Sequence, residues 1–147
     1  MADLVPSSTR LIMTGKLMDH FTTFSREICI NKSPIQTINQ INTNVIYGYG
    51  EESAPQTEIS YTFVSGIYPA IILYNKGTKN ANEIDTKLML NPNATYIKIK
   101  KDARDYIKNG KTESIIMDGN TWNIAGNEAV QDYLGLKFYY FELKGTD

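Results

Sequence analysis

Apolar positions change period twice along this chain, and each change marks an element. Met13, Leu17, Phe21 and Phe24 recur at i, i+4, i+8 and i+11, which is one face of a helix. Pro6-Ser7-Ser8-Thr9 lies just ahead and offers side-chain oxygens able to cap free amides. A helical segment is therefore expected within residues 1–25, running to about Phe24, with Gly15 costing it about 1 kcal/mol relative to Ala. In Arg26-Glu27-Ile28-Cys29-Ile30 the pattern alternates, with Ile28 and Ile30 on one face as in a strand. Pro34 cannot donate to a ladder and interrupts it.

Polar residues then dominate. From Ile35 to Gln56 the chain is rich in Asn, Thr, Gln and Gly, which reads as a long connection with short extended pieces and a loop insertion near 39–57. Ile59 to Val64 is a β run, and Ser65-Gly66 is the expected turn into Pro69-Ala70-Ile71-Ile72-Leu73-Tyr74. That continuous apolar stretch predicts a strand covered on both faces. A second polar loop follows near 75–82, then a further strand from Ile84 to Leu90. Thr95 to Lys100 alternates, placing Ile97 and Ile99 inward and Tyr96, Lys98 and Lys100 outward. Lys101 to Ile107 predicts one helical turn starting at Asp102.

Ile115-Ile116-Met117-Asp118-Gly119-Asn120-Thr121-Trp122-Asn123-Ile124 is a hairpin signature: two β-favouring runs around a Gly/Asn turn. With Gly119-Asn120 as the loop, Met117 faces Trp122 and Ile115 faces Ile124. With Asp118-Gly119 as the loop, Ile115 meets Trp122 and Met117 meets Asn120. The first register opposes more apolar side chains and is the preferred one. An aromatic-rich strand, Leu136 to Leu143, closes the chain. The pattern predicts a mainly β protein, a small antiparallel barrel or sandwich with a short N-terminal helix and long polar loops. Residues 1–147 form one domain, and 26–147 form its β body.

Composition changes this picture little. A 147-residue chain that is 41% hydrophobic and 21% charged can bury a core without staples. Cys29 is alone, so no internal disulfide is expected. Met1 to Pro6 lacks the basic and apolar regions of a secretory leader, and no apolar run approaches membrane-spanning length. An unsecreted, soluble protein is expected, with Asn31-Lys32-Ser33 and Asn93-Ala94-Thr95 unmodified.

Candidate chemistry is sparse. His20 is the single histidine and cannot make a multi-histidine metal site. Gly48-Tyr49-Gly50 lacks the spacing of a dinucleotide loop and the Lys-Ser/Thr of a phosphate loop. Asp118-Gly119-Asn120 lacks the later ligands of a calcium loop. Asp102 and Asp105 lie among basic residues that pair with them readily. No catalytic residue, cofactor or metal is expected.

Charge is uneven, however. Lys98, Lys100, Lys101, Arg104, Lys108 and Lys111 against Asp102 and Asp105 make +4 over residues 98–111, in a chain of net charge −1. These six are the candidate contacts to DNA or to another subunit; a solvated strand edge is the plainer reading.

The stretch from Glu113 to Leu143, with Lys98 to Tyr106 leading into it, resembles the C-terminal part of small β-barrel connector proteins from the neck of tailed bacteriophages. An apolar strand, a Gly turn with an aromatic residue, and an aromatic-rich closing strand carry the resemblance. It covers about a third of the chain, and the N-terminal helix and Asn-rich loops depart from it. It implies a head-tail connector of the head-closure or stopper class, a non-enzymatic virion protein assembled in the host cytoplasm. Its implied partners are further copies of itself in a hexameric ring, a portal or adaptor protein, a tail terminator or tail tube protein, and packaged DNA held without sequence preference; a membrane is not among them. Adaptor, tail-terminator and other tail or baseplate roles stay open. So does a saccharide-binding module using Tyr47, Tyr49, Tyr61 and Tyr96, or a small enzyme built on a carboxylate pair.

Overall fold

A computed structural model describes residues 4–41, 56–74, 94–126 and 128–146. Helix α1 spans Ser7–Phe24, and strands β1 (Arg26–Lys32), β2 (Ile35–Ile41), β3 (Gln56–Thr62), β4 (Ser65–Leu73) and β5 (Thr95–Ile99) follow. Helix α2 (Lys101–Lys108) leads to β6 (Thr112–Met117), β7 (Asn120–Ile124), β8 (Ala129–Tyr133) and β9 (Leu136–Gly145). None of the helices described is long and apolar enough to cross a membrane.

Six strands close a barrel in the order β1, β4, β5, β9, β7, β6 and back to β1, every pair antiparallel. The chain is thus mainly β, as the pattern predicted. Closure leaves these strands without a free edge, which removes the usual route to edge-to-edge aggregation. Strand β9 makes closure possible because it is long. One of its sides pairs with β5 throughout residues 139–143, while the other side serves β8 first and β7 last.

Alternation fills the interior. Ile28 and Ile30 from β1, Ile97 and Ile99 from β5, Ile115 and Met117 from β6, and Tyr139, Phe141 and Leu143 from β9 all point inward and are buried. Ala103 and Ile107, four apart on α2, join this core, so α2 is a two-turn plug and exceeds the single turn expected. A second cluster lies outside the wall: Phe21 of α1 sits on Phe138 and Tyr140, with ring centroids of Phe21 and Phe138 5.3 Å apart. The aromatic run of β9 therefore has both faces buried, the even residues under α1 and the odd ones in the barrel. Strand β4 is covered the same way, with Ile72 inside and Ile71 against the outer cluster.

Several expectations need correction. The 115–124 hairpin uses the other register: Ile115 opposes Trp122 and Met117 opposes Asn120, with Asp118-Gly119 as the loop. The two registers differ by a slip of two residues, so both keep the same side chains inside, and hydrophobicity cannot choose between them. Turn chemistry does: Asp118 (φ 49°) and Gly119 (φ 78°) occupy the paired left-handed positions that an Asp-Gly hairpin loop favours. Arg26 and Tyr74 fasten that loop, each donating to Asp118 Oδ2 at 2.8 and 2.7 Å.

Ser65-Gly66 is not a turn. Both residues belong to β4, and Gly66 opposes Ile30; the connection from β3 is Phe63-Val64. Of the loop insertion expected near 39–57, Asn39–Ile41 and Gln56-Thr57 are instead ladder residues of β2 and β3, and the remainder lies outside the described residues. Helix α1 begins after Pro6 with no side-chain cap, and of its predicted apolar stripe only Phe21 is fully buried. The expected 75–82 loop and Ile84–Leu90 strand lie outside the described residues, as does Gly48-Tyr49-Gly50.

Candidate assembly surfaces

Helix α2 and the strand before it carry the basic cluster, and the fold disperses it. Arg104 donates from Nε to Glu128 Oε1 at 2.7 Å and from Nη1 to Asp105 at 3.1 Å, with its guanidinium 5.2 Å from the Tyr139 ring. Lys108 reaches the other oxygen of Glu128 at 2.8 Å, and Lys101 lies 3.7 Å from Asp105. Glu128, just before β8, thus neutralises two of the six cations. Burial alone would raise its carboxyl, but the hydrogen bonds from Arg104 and Lys108 outweigh that and hold it below the ordinary glutamate value. The same bond to Glu128, then that to Asp105, raises the guanidinium of Arg104 above its usual range.

Lys98 on the outer face of β5 and Lys100, just before α2, do not point into open water. The ammonium of Lys98 lies 4.2 Å from the centroid of Phe138, 5.6 Å from Tyr133 and 5.8 Å from Tyr140. Lys100 sits 4.7 Å over Phe21. A cation over a ring face gains about 0.5–2 kcal/mol, more as water is excluded. Burial lowers the pKa of Lys98, and Lys98 has no ion pair among the described residues. Lys111 remains exposed in the loop after α2. The structure therefore does not bring the six together as one phosphate-facing patch: three are tied to Glu128 or Asp105, and two face aromatic rings.

Two residues that the sequence did not single out complete the region. One is Glu128. The other is Lys32, whose Nζ donates to the Ile107 carbonyl at 3.0 Å and to Thr112 Oγ1 at 2.9 Å, closing the C-terminal end of α2. Desolvation lowers its pKa as well. Neither had a legible signal, because each acts across a long sequence separation.

Strands β2 and β3 form a second, two-stranded sheet that has no ladder to the barrel. Ile38 opposes Ile59 and Gln36 opposes Tyr61, so Ile38, Ile59 and Tyr61 share one ribbon face. That face is open to solvent, with the three side chains 58%, 49% and 57% exposed. An isolated two-stranded ribbon is marginally stable in water, and most of the surface that could stabilise this one is unused.

A second apolar surface flanks α1. Ile12, Met13 and Leu17 line a groove of about 580 Å³ together with Tyr133 at the end of β8 and Leu134 of the β8–β9 turn, with Lys16 and His20 also lining it. Leu11, Ile12 and Met13 are 75%, 64% and 48% exposed. Contiguous exposed apolar surface of this kind marks interaction sites.

The other candidates have ordinary partners. His20 packs against Phe24 in a tilted arrangement, ring centroids 4.6 Å apart, and Cys29 Sγ contacts Asn31 Oδ1 at 3.5 Å. Asp105 is engaged by Arg104 and Lys101. Tyr96 is 5% exposed, which corrects its assignment to a solvent face. No group of three or more metal-ligating side chains occurs among the described residues. Compared with known proteins, the chain matches no family model, no curated protein and no solved structure.

Proposed function

We propose that this chain is a structural subunit of a tailed-phage neck, a head-tail connector of the stopper class that works as an oligomeric ring and performs no catalysis. The observation that carries this reading is the unpaired β2–β3 ribbon with its exposed Ile38, Ile59 and Tyr61. A closed barrel needs no such appendage for its own stability. An apolar ribbon gains its stabilisation from a neighbour, as expected of a part that completes its packing on assembly. The groove beside α1 supports the same reading.

Holding packaged DNA is the weaker element of the proposal. Phosphate contact needs cations free to release counterions. Here Arg104 and Lys108 are committed to Glu128, and Lys111 is the cluster member most open to a phosphate. Contacts to a portal or adaptor on one side and a tail terminator or tail tube on the other then rest on the apolar surfaces. A tail-terminator role fits the same features. The saccharide reading loses Tyr96, which is buried, and keeps the exposed Tyr61.

Mass photometry and negative-stain electron microscopy of the purified chain, alone and with candidate portal and tail proteins, test the proposal. A ring of about six 16.6 kDa chains is expected. A strict monomer that binds neither portal nor tail components overturns it.

A further inference from the structure

Asn109-Gly110 is the single Asn-Gly step in this chain. It stands at the C-terminal end of α2, where Asn109 has left the helix (φ −80°, ψ 98°) while its N–H still donates to the Asp105 carbonyl. An asparagine carboxamide is an electrophile within reach of the backbone nitrogen that follows it. Glycine obstructs that attack least, since it has no Cβ and turns freely about its backbone.

Three observations leave the step open to reaction in the folded chain. Both residues are exposed. The Asn109 carboxamide and the Gly110 N–H make no hydrogen bond to a described residue. A Cβ built on Gly110 would meet no described atom within 4 Å, so no neighbour opposes the rotation that cyclisation needs. Charge acts in the same direction. Lys108 and Lys111 flank the step in sequence, and Lys32 and Lys111 line one cleft with Asn109 and Gly110. Nearby cations favour a deprotonated amide, which is the attacking form.

Other positions lack this combination. Asn31, Asn39, Asn120 and Asn123 lie in strands and precede residues with side chains. Asp118-Gly119 has the same spacing, but an ionised carboxylate is a poor electrophile. Arg26 and Tyr74 also hold Asp118 Oδ2 at 2.8 and 2.7 Å.

We propose that Asn109 is a self-modifying site, deamidated in the folded protein with water as the only co-reactant. The Gly110 nitrogen gives its proton to solvent and bonds to Asn109 Cγ. The carboxamide nitrogen takes a proton from solvent and leaves as ammonia. Water then adds to either carbonyl of the cyclic imide and opens it to an aspartyl or an isoaspartyl residue. One water is consumed, one ammonia is released, and nothing is oxidised or reduced.

The product adds one negative charge to a chain of net charge −1. That charge falls at the C-terminal end of α2, where the helix dipole disfavours an anion. It also falls beside Lys111, whose exposed ammonium then has a carboxylate for a neighbour. The isoaspartyl form lengthens the backbone by one methylene, two residues ahead of the Lys111 carbonyl that accepts from the Ser33 N–H. The reaction needs only this chain and water, so it stands apart from the connector reading.

Incubation of the folded full chain at mildly alkaline pH, then digestion after Glu residues and tandem mass spectrometry, reads the conversion at Asn109. A guanidinium-denatured sample treated alike gives the rate of the unconstrained step. An exposed, unbonded site opens at almost no cost, so the folded rate should lie within about tenfold of the denatured rate. The converted chain should elute on anion exchange with an Asn109→Asp standard, and its isoaspartyl fraction should accept methyl groups from an isoaspartyl methyltransferase. Asn109→Gln should lose the acidic species, because the ring would then have six members and close far more slowly. A folded rate more than about tenfold below the denatured one overturns the proposal, since the fold would then protect the step. So does conversion that falls mainly at another asparagine, or an Asn109→Gln chain that acidifies at the wild-type rate.

Discussion

Glu128 and Arg104 are 24 residues apart, and their 2.7 Å hydrogen bond holds α2 against the chain entering β8. The Glu128 side chain is 12% exposed and that of Arg104 33%, so the bond is better shielded than an ordinary surface ion pair. Lys108 shares the same carboxylate, and α2 plugs the barrel with Ala103 and Ile107. This one acid therefore links the charge of the outer surface to the position of the plug.

Glu128→Gln is expected to lower unfolding stability by about 1–2 kcal/mol at neutral pH, since two cations lose an ionised acceptor. The folded-state pKa of Glu128 is depressed, so its contribution is present above the unfolded glutamate value. That contribution disappears as pH falls through the folded value. Urea unfolding at pH 7 and at pH 3 should show the wild type and the variant converging in acid. Equal stability of the two at pH 7 would refute the prediction.

Gly66→Ala places a Cβ 2.8 Å from a Tyr68 ring carbon and 3.0 Å from the Tyr106 ring. Those rings pack on each other, with centroids 5.1 Å apart, and against the core. Overpacking there should cost about 1–3 kcal/mol. In a Tyr106→Ala background the cost should shrink, because one of the two obstructing rings is gone. A double-mutant cycle by chemical denaturation measures that coupling.

Gly119→Ala meets no atom within 4 Å, so its effect isolates the backbone. At φ 78° an alanine is strained, and a loss of about 1 kcal/mol is expected. Gly119→Asn should lose less, because asparagine tolerates the left-handed region. Thermal unfolding of the two variants ranks them.

Phe21→Ala empties the contact between α1 and β9, and should destabilise by about 3–5 kcal/mol. Leu11→Ala, on the exposed part of the same helix, should stay within about 0.5 kcal/mol of wild type. Helical circular dichroism should fall for Phe21→Ala only, since an 18-residue helix is marginal without its packing. Similar losses from both changes would show that the outer cluster does not anchor α1.

Periodicity alone settled the elements whose one face is buried. Ile28 and Ile30, Ile97 and Ile99, and Ile115 and Met117 alternate because a barrel wall has an inside, and that requirement is written locally in each strand. Helix α1 was legible from its spacing, although packing selected only Phe21 from the stripe for full burial. Strand β8 was not legible, because Ala129 to Tyr133 has a weak pattern and is held by pairing with β9. Of the ribbon, Ile59 to Thr62 was legible as a β run, whereas Ile35 to Ile41 was read as part of a long polar connection with short extended pieces, because its pattern is mostly polar. The hairpin register escaped an apolar count, since both choices buried the same side chains and φ at Asp118 and Gly119 decided.

The dispersal of the basic cluster belongs to tertiary structure entirely. Sequence placed Lys98, Lys100, Lys101, Arg104, Lys108 and Lys111 within fourteen positions, but it carries no term for a carboxylate or a ring brought in from elsewhere. Glu128 is 20 residues from Lys108, and Phe138 is 40 from Lys98. Folding sets those distances to 2.8 Å and 4.2 Å. Local alternation determines which side chains face in, because each strand satisfies it alone; which charges meet depends on closing the barrel, because only closure brings α2, β5 and β9 together.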